Sequence, residues 1–251
     1  MSDADILEVT SQDGVDHVTL NRPDRLNAIN QPLADALLAY FEGKRRDTAT
    51  RVITLRGAGR AFCSGADLKA MGSPEALRDG PNGDWVLRDT LKAMRACPQP
   101  IIALVHGSAA GGGLAFALSS DVIIAGESAA FHPAFIKIGL SGSELGVSWR
   151  LQRTIGVSRA REMLLTGRPM LAHDAAQAGL VSRVVADAEL HEAGCELATE
   201  MLRAAPDALR VSKRTFDATL ETPSFEAALE LEERGQVQMI RAGIQARARR
   251  E

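Results

Sequence analysis

The chain has 251 residues, of which 45% are hydrophobic and 24% are charged, and its formal net charge is −3 at pH 7. This composition is typical of a globular protein, and the length allows one large domain or a core with an appendage. Because no basic block lies over the folded part, we expect no nucleic-acid partner. No apolar run reaches the ~18 residues that a membrane span needs.

Cysteine usage and the start of the sequence indicate a cytoplasmic protein. The cysteines Cys63, Cys97 and Cys195 lie far apart and are odd in number, which predicts neither a disulfide framework nor a metal site. Residues 1–9 are acidic and have no apolar segment of the kind found in a signal peptide.

Strand and helix signals alternate along the first part of the chain. Apolar alternation or continuous apolar runs predict strands at residues 6–9, 15–20, 51–57, 101–107, 121–126 and 181–185. Apolar stripes and caps predict helices from Asn30, at 85–96, after the glycines at 111–113, near 143–154, 158–166, 187–204 and 207–220, and from about 224. The alternation predicts parallel βαβ crossovers, hence an α/β core over residues 1–190, with a helical region over 191–251.

Three consecutive glycines stand in "HGSAAGGGLAFALSSD" (106–121), between a buried strand and an apolar helix. The first N–H groups of a helix have no intrahelical partner and the helix dipole adds positive potential, so this loop resembles an anion site. Phosphate-loop, dinucleotide and nucleophile-elbow patterns do not fit it. An oxyanion hole for a polarised carbonyl and close packing of two backbones both remain open.

A second glycine-rich loop, "GRAFCSGADLKAM" (59–71), also follows a predicted strand. It supplies backbone N–H groups at Gly65, Ala66 and Asp67. Loops at the ends of neighbouring parallel strands lie side by side, which is where α/β sheets bind ligands. The pair therefore favours a ligand site.

Four segments together resemble the enoyl-CoA hydratase/isomerase family, also called the crotonase family. They are "LNRPDRLNAIN" (20–30), "GRAFCSGADL" (59–68), "HGSAAGGGLAFALSSDVIIAG" (106–126) and "LQRTIGVSRAREMLLTGRPMLAHDAAQAGLVSRVV" (151–185). The resemblance implies a right-handed spiral of ββα turns, followed by a helical trimerisation region. It also implies an acyl-CoA thioester substrate, no separate cofactor, and a homotrimer or a dimer of trimers.

The resemblance assigns roles to residues of both glycine loops. The backbone N–H groups of Ala66 and Gly112 would stabilise the thioester enolate, and we expect a Cβ at Gly112 to obstruct the thioester oxygen. The implied substrate-binding residues are Arg25, Leu26, Ser64, Gly65, Ala66, Asp67, Leu68, Lys69, Gly111, Gly112 and Phe135.

The chain departs from the hydratase branch at both of its glutamate positions. Ala115 stands at one of them and Phe135 at the other, and neither side chain can move a proton. Other branches, among them dienoyl-CoA isomerases, place a catalytic carboxylate at a position that resembles Glu144. In a rival interpretation, Ser141 and Glu144 form a capping box at the start of the next helix.

Other polar residues receive less weight. We expect His106 to be hydrogen-bonded scaffold, His132 to be structural, and Asp67 to organise its loop. Lys213 is interpreted either as a contact to CoA phosphates or as a solvated helix charge.

The favoured function is a double-bond shift in an acyl-CoA, since one carboxylate, Glu144, can remove a proton at one carbon and return it at another. Hydration by a single glutamate is the alternative within the same class. A non-catalytic acyl-CoA-binding subunit, enolate decomposition and thioester hydrolysis also remain open. Apolar residues of the last helix, namely Phe225, Ala228, Leu229 and Leu231, predict its burial between subunits.

Overall fold

Two β-sheets organise the protein in the computed structural model, which describes residues 6–69 and 83–248. The larger sheet contains β1 (Leu7–Gln12), β2 (Val15–Leu20), β3 (Val52–Gly57), β4 (Ile101–Val105), β6 (Val122–Gly126) and β9 (Arg183–Val185), in that spatial order. The smaller sheet contains β5 (Ser108–Ala110), β7 (Ala130–His132) and β8 (Met170–Leu171).

The larger sheet is parallel except at its first edge. β1 and β2 pair antiparallel, and from β2 to β9 each neighbouring pair is parallel. Asp13 and Gly14 form the hairpin turn, and both have a positive φ, 50° and 83°. The sequence predictions of the hairpin and of the parallel crossovers are therefore confirmed.

The helices lie between and after the strands. They are α1 (Gln31–Lys44), α2 (Gly83–Ala96), α3 (Gly112–Ser119), α4 (Val147–Ile155), α5 (Val157–Thr166), α6 (Ala172–Gln177), α7 (Leu190–Leu202), α8 (Pro206–Leu220) and α9 (Phe225–Ala248). The side chain of Asn30 accepts the backbone N–H of Leu33 and caps α1, as predicted. None of the described helices combines the length and the apolar character that crossing a bilayer requires.

The chain passes repeatedly from the larger sheet to the smaller one. β4 leads into β5 across two residues, α3 returns the chain to β6, and β6 then leads to β7. The sequence analysis did not predict β5, β7 or β8, because strands of two or three residues are too short to show a periodicity. This passage between sheets brings the loops that follow β3 and β4 to one place.

Apolar side chains pack on both faces of the larger sheet. The main core lies between one face and α1 to α4, with Phe41, Phe62 and Phe116 fully buried. On the other face, Leu190, Ala193 and Ala198 of α7 pack against strand residues such as Ile102 and Ile124. Helix α7 is thus a layer on the sheet, and the division of the chain at residue 190 stays a prediction.

Candidate active site

The two glycine-rich loops lie side by side, as the sequence predicted. The N–H of Cys63 donates to the carbonyl of Ser108 (3.0 Å), and the N–H of Ala110 donates to the carbonyl of Cys63 (2.9 Å). These bonds continue the β3–β4 pairing beyond the ends of the strands. The loop after β3 is therefore attached to the segment that leads into α3.

Close backbone approach explains two of the glycines. Gly65 has a φ of +91°, and a Cβ on it would lie 2.7 Å from the carbonyl oxygen of Ala110. A Cβ on Gly113 would overlap the backbone carbonyl of Cys63. Close packing of two backbones, one of the two alternatives left open by the sequence analysis, therefore occurs in this loop, and the ligand site stays a prediction.

Gly112 has a packing neighbour that the sequence analysis did not foresee. A Cβ on this residue would lie 2.8 Å from Cδ1 of Ile29 and 3.9 Å from Cδ1 of Leu87. That the Cβ would also obstruct a ligand oxygen stays a prediction. The reason for glycine at this position is therefore, at least in part, packing against Ile29.

The amides of these loops differ in what they can donate to a ligand. The N–H of Asp67 donates to the carbonyl of Ile29 (2.9 Å), and the N–H of Gly111 donates to the carbonyl of His132 (3.0 Å). The sequence analysis counted Asp67 among the available donors, and this was wrong. Among the described residues, no acceptor is found for the amides of Ala66 and Gly112, and Gly112 begins α3.

A cavity of about 410 Å³ opens at these two amides, and we name it the glycine-loop cavity. Its described lining residues are Ser64, Gly65, Ala66, Leu68, Leu87, Gly111, Gly112, Ala134, Phe135, Ile138, Leu140, Ser141, Glu144 and Leu145. Among these residues Glu144 is the one carboxylate and there is no basic side chain. The structure thus brings Ala66, Gly112, Phe135 and Glu144 to one cavity.

Four predicted binding residues do not line this cavity. Arg25 and Lys69 are exposed, and Leu26 is half-buried with its carbonyl accepting the N–H of Ser64 (3.0 Å). Asp67 accepts from Arg22 at 3.0 Å, so it organises its loop as expected.

Asn27 was missed by the sequence analysis. It is fully buried. Its side-chain nitrogen, Nδ2, donates to the backbone carbonyls of Ala58 and Ala61, both at 2.8 Å, and its side-chain oxygen, Oδ1, accepts the backbone N–H of Arg22. Its φ of 55° places it in the left-handed region. Asn27 thereby anchors the turn at residues 22–28 to the start of the first glycine loop, a role that only the bonds in three dimensions reveal.

The surroundings of Glu144 exclude the capping-box interpretation. Helix α4 begins at Val147 rather than near residue 143, and its N-cap is Gly146 without a side-chain cap. The hydroxyl of Ser141 instead accepts the N–H of Ser143 (3.1 Å), which closes a turn inside the loop. Glu144 lies 3.6 Å from the guanidinium of Arg88 on α2, and its side chain is 31% exposed.

A second cavity, of about 680 Å³, adjoins the first and shares Glu144 and Leu145 with it. We name it the charged cavity, because many of its described lining residues are ionic. Ala115, at one hydratase glutamate position, also lines it. Both positions where the hydratase branch has glutamates therefore lie at cavity walls, and both carry side chains that cannot transfer protons.

Lys213 is not the solvated helix charge that was one of the two roles foreseen for it, and the contact to CoA phosphates stays a prediction. It is 6% exposed, lies 2.8 Å from Oδ2 of Asp121, and donates to the carbonyl of Gln99 (2.9 Å). The same carboxylate oxygen of Asp121 accepts the N–H of Ile101 (2.7 Å). Lys213 therefore ties α8 to the ends of the sheet strands at the wall of the charged cavity.

The histidines behave as the sequence analysis expected, with one addition. His106 bonds to the carbonyl of Gly59 (2.8 Å), and burial lowers the pKa of His132, which does not line the glycine-loop cavity. His17, His191 and Cys195 form a cluster that the sequence did not reveal, with ligand atoms within 4.8 Å of one another. Burial lowers the pKa of His17 and raises the pKa of the Cys195 thiol, and the positive charge of nearby Arg56 disfavours a cation there.

Comparison with known proteins shows the family of the chain. The profile of the enoyl-CoA hydratase/isomerase family matches residues 10–247. A relative from Mycobacterium bovis, described as a probable enoyl-CoA hydratase, is 40% identical over 230 residues, which are 88% of this chain and 79% of the relative.

Solved structures include both activities. The enoyl-CoA hydratase of Bacillus anthracis has a TM-score of 0.89 at 30% identity, covering 98% of this chain and 97% of that one. A monofunctional enoyl-CoA isomerase from M. smegmatis has a TM-score of 0.77 at 39% identity, covering 90% of this chain and 98% of that one. The chain has the α/β crotonase fold with C-terminal helices, and it belongs to the enoyl-CoA hydratase/isomerase family as an enzyme of that type.

Proposed function

We propose that the enzyme shifts the double bond of an enoyl-CoA, with Glu144 carrying the proton. The observation that carries this proposal is the composition of the glycine-loop cavity. Two amides suited to a thioester oxygen, those of Ala66 and Gly112, share it with one carboxylate among the described residues. Alanine and phenylalanine at positions 115 and 135 leave no second proton carrier at the usual places.

A single residue, Glu144, carries the proton through both steps of the proposed reaction. Ionised Glu144 removes a proton from C2 of a 3-enoyl-CoA, and the electron pair moves onto the thioester oxygen as a dienolate. The amides of Ala66 and Gly112 stabilise that oxyanion, because they are fixed donors at the point where negative charge develops. Protonated Glu144 then returns the proton to C4, which gives a 2-enoyl-CoA and restores the carboxylate.

Hydration is the second candidate, and the relatives named as hydratases support it. Adding water to a 2-enoyl-CoA requires a base for the water and an acid for C2. With Ala115 and Phe135 in place, Glu144 would have to perform both tasks. The double-bond shift requires only one group, which removes a proton at one carbon and returns it at another. We therefore favour this reaction.

Glu144→Gln tests the proposal, because glutamine preserves the shape of the side chain and removes its basicity. We expect the rate of 3-enoyl to 2-enoyl conversion to fall by ~10²–10⁴-fold, as for loss of a general acid–base group. Hydration of a 2-enoyl-CoA is followed in parallel. Glu221→Gln is the matched control, since Glu221 also pairs with an arginine, Arg95, but lines only the charged cavity.

Three results would overturn the proposal. Unchanged isomerisation in Glu144→Gln excludes Glu144 as the proton carrier. Wild-type protein that binds acetoacetyl-CoA in calorimetry but catalyses neither reaction is a non-catalytic acyl-CoA-binding subunit. If acetoacetyl-CoA shows no saturable binding at millimolar concentration, the proposed acyl-CoA site is wrong. The exposed contacts proposed at Arg25 and Lys69 are then excluded as well.

We further propose a homotrimer or a dimer of trimers in the cytoplasm. On the C-terminal helices, Phe216, Phe225 and Ile240 are 70%, 72% and 60% exposed, which is unusual for large apolar side chains in a monomer. Light scattering at micromolar concentration measures the assembly. A monomer alone would contradict the proposal.

A further inference from the structure

Helix α3 leads from the proposed oxyanion hole into the charged cavity. Gly112, at its N-terminus, lines the glycine-loop cavity, whereas Ala115, Leu118 and Ser119 line the charged cavity. Seven residues of helix separate Gly112 from Ser119, which is a rise of ~10 Å. An acyl group whose thioester oxygen lies at Gly112 can therefore pass Glu144 and extend into the charged cavity.

The lining of the charged cavity is unsuited to a hydrocarbon chain. Its described lining residues include six basic side chains, namely Arg88, Lys92, Arg95, Arg150, Arg153 and Lys213. The acidic ones are Asp121, Glu144, Asp217 and Glu221, which leaves an excess of two positive charges at neutral pH. Covering such groups with methylenes would remove their hydration without supplying hydrogen bonds, and this is costly.

The basic residues differ in how far other groups already engage them. Lys213 is paired with Asp121, and Arg95 lies 2.9 Å from Glu221 and 3.7 Å from Asp217. For Arg150, which is half-buried, no ion pair within 4.0 Å is found among the described residues, although it acts electrostatically on Asp217. Arg153 likewise shows no ion pair among the described residues, but it is exposed and donates to the carbonyl of Trp149 (3.1 Å). Arg150 is therefore the half-buried basic side chain best able to accept an additional anion.

Trp149 fixes the neighbouring guanidinium groups. The Cζ atoms of Arg153 and Arg95 lie 4.2 Å and 4.8 Å from the centroid of its ring. Arg153 also donates to the carbonyl of Trp149 (3.1 Å), and Arg95 pairs with Glu221, so stacking on the indole and these bonds hold both guanidinium groups in place as fixed positive charges. The charged cavity thus combines a restrained, positively charged wall with a path from the thioester.

We propose that the acyl group of the substrate carries a carboxylate at its far end, and that Arg150 binds this carboxylate. The inference rests on the proposed function, because it places the thioester at Ala66 and Gly112. It makes the enzyme selective for dicarboxylic acyl-CoA thioesters over unsubstituted fatty acyl-CoAs.

The experiment compares two matched substrates, a 3-enoyl-CoA with a terminal carboxylate and the same enoyl-CoA with a terminal methyl group. We expect the wild-type kcat/KM to favour the carboxylate by ~10- to 100-fold, the effect of one charge-assisted hydrogen-bonded pair. Arg150→Met removes most of this preference, and Arg150→Lys, which keeps the charge but not the fork, retains part of it. Arg159→Met, at an exposed arginine of α5, is the control that keeps the wild-type ratio.

Binding is measured as well, by calorimetry of both thioesters with Glu144→Gln protein. A wild-type ratio near one, in turnover and in binding, overturns the inference while leaving the proposed function intact. An unchanged preference in folded Arg150→Met or Arg150→Lys excludes Arg150 as the anion-binding residue. A short acyl-CoA without a tail, such as a four-carbon one, tests the proposed function separately, since it does not reach the charged cavity.

Discussion

The glycine-loop cavity and the charged cavity meet at Glu144 but are built in opposite ways. The first presents backbone amides and apolar side chains, and its shape depends on where glycine allows two loops to touch. The second is lined by long ionic side chains from α2, α4 and α8, and Arg95 of α2 pairs across it with Asp217 of α8 and with Glu221, the C-cap residue of α8. Backbone donors cannot be exchanged by a side-chain substitution, whereas charged side chains can. The proposals above assign the reaction to the first cavity and substrate selection to the second.

The first prediction is a loss of stability on substitution of a residue in the wall of the charged cavity. Lys213→Met removes the buried partner of an ion pair and leaves Asp121, whose side chain is 27% exposed, and the carbonyl of Gln99 without it. We expect the free energy of unfolding to fall by ~1–3 kcal/mol, because the carbonyl of Gln99 loses its donor while Asp121 keeps part of its hydration. Urea denaturation measures it.

Lys92→Met is the matched control, because Lys92 lines the same cavity but is 75% exposed in its pair with Asp89. Its loss is expected to cost ~0–1 kcal/mol. Equal losses for the two lysines would show that the pair of Lys213 and Asp121 does not hold α8 to the sheet.

A proline at Gly112 tests the backbone character of the glycine-loop cavity. Gly112 is the first residue of α3, where proline is tolerated, but Gly112→Pro removes the N–H proposed to stabilise the oxyanion. We expect a ~10²–10³-fold loss of kcat.

Gly112→Ala is the control, since it adds the same Cβ beside Ile29 and keeps the N–H. It is expected to lose far less activity, because the end of the Ile29 side chain can adjust. Equal losses in folded proline and alanine variants would assign the effect to packing rather than to the missing donor.

The smallest expected effect is a pH dependence at the charged cavity. Burial raises the pKa of Asp217 above its ordinary 3.8, with Arg95 opposing the change. Between the pKa of Asp217 in the unfolded chain and its higher pKa in the folded protein, the folded protein binds more protons than the unfolded chain. The contribution of Asp217 to the free energy of unfolding therefore falls as pH rises through this range.

Asp217→Asn removes this dependence, so the variant gains stability relative to wild type as pH rises. Denaturation at about pH 3.5 and about pH 7 measures the change. A variant that instead loses more stability at the higher pH would show that pairing with Arg95 outweighs burial.

The sequence predicted the longer elements well and the loop around Glu144 poorly. Strands β1 to β4, β6 and β9, and helices such as α1 and α8, follow from apolar periodicity and local caps. The start of α4 was placed too early, because Ser141 and Glu144 match a capping pattern that the structure does not use. A local pattern cannot show that Gly146 takes the left-handed conformation and delays the helix until Val147.

The sequence by itself determined the pair of glycine loops, the family and the loss of both hydratase glutamates, because each is carried by residue identities at short spacing. Only the tertiary structure decided that Gly112 packs on Ile29, that the amide of Asp67 is already used, and that Lys213 is buried with Asp121. The charged cavity was also invisible in the sequence, because α2, α4 and α8 supply its side chains from distant positions. Contacts of this kind depend on how helices pack across a sheet, and no local spacing encodes them.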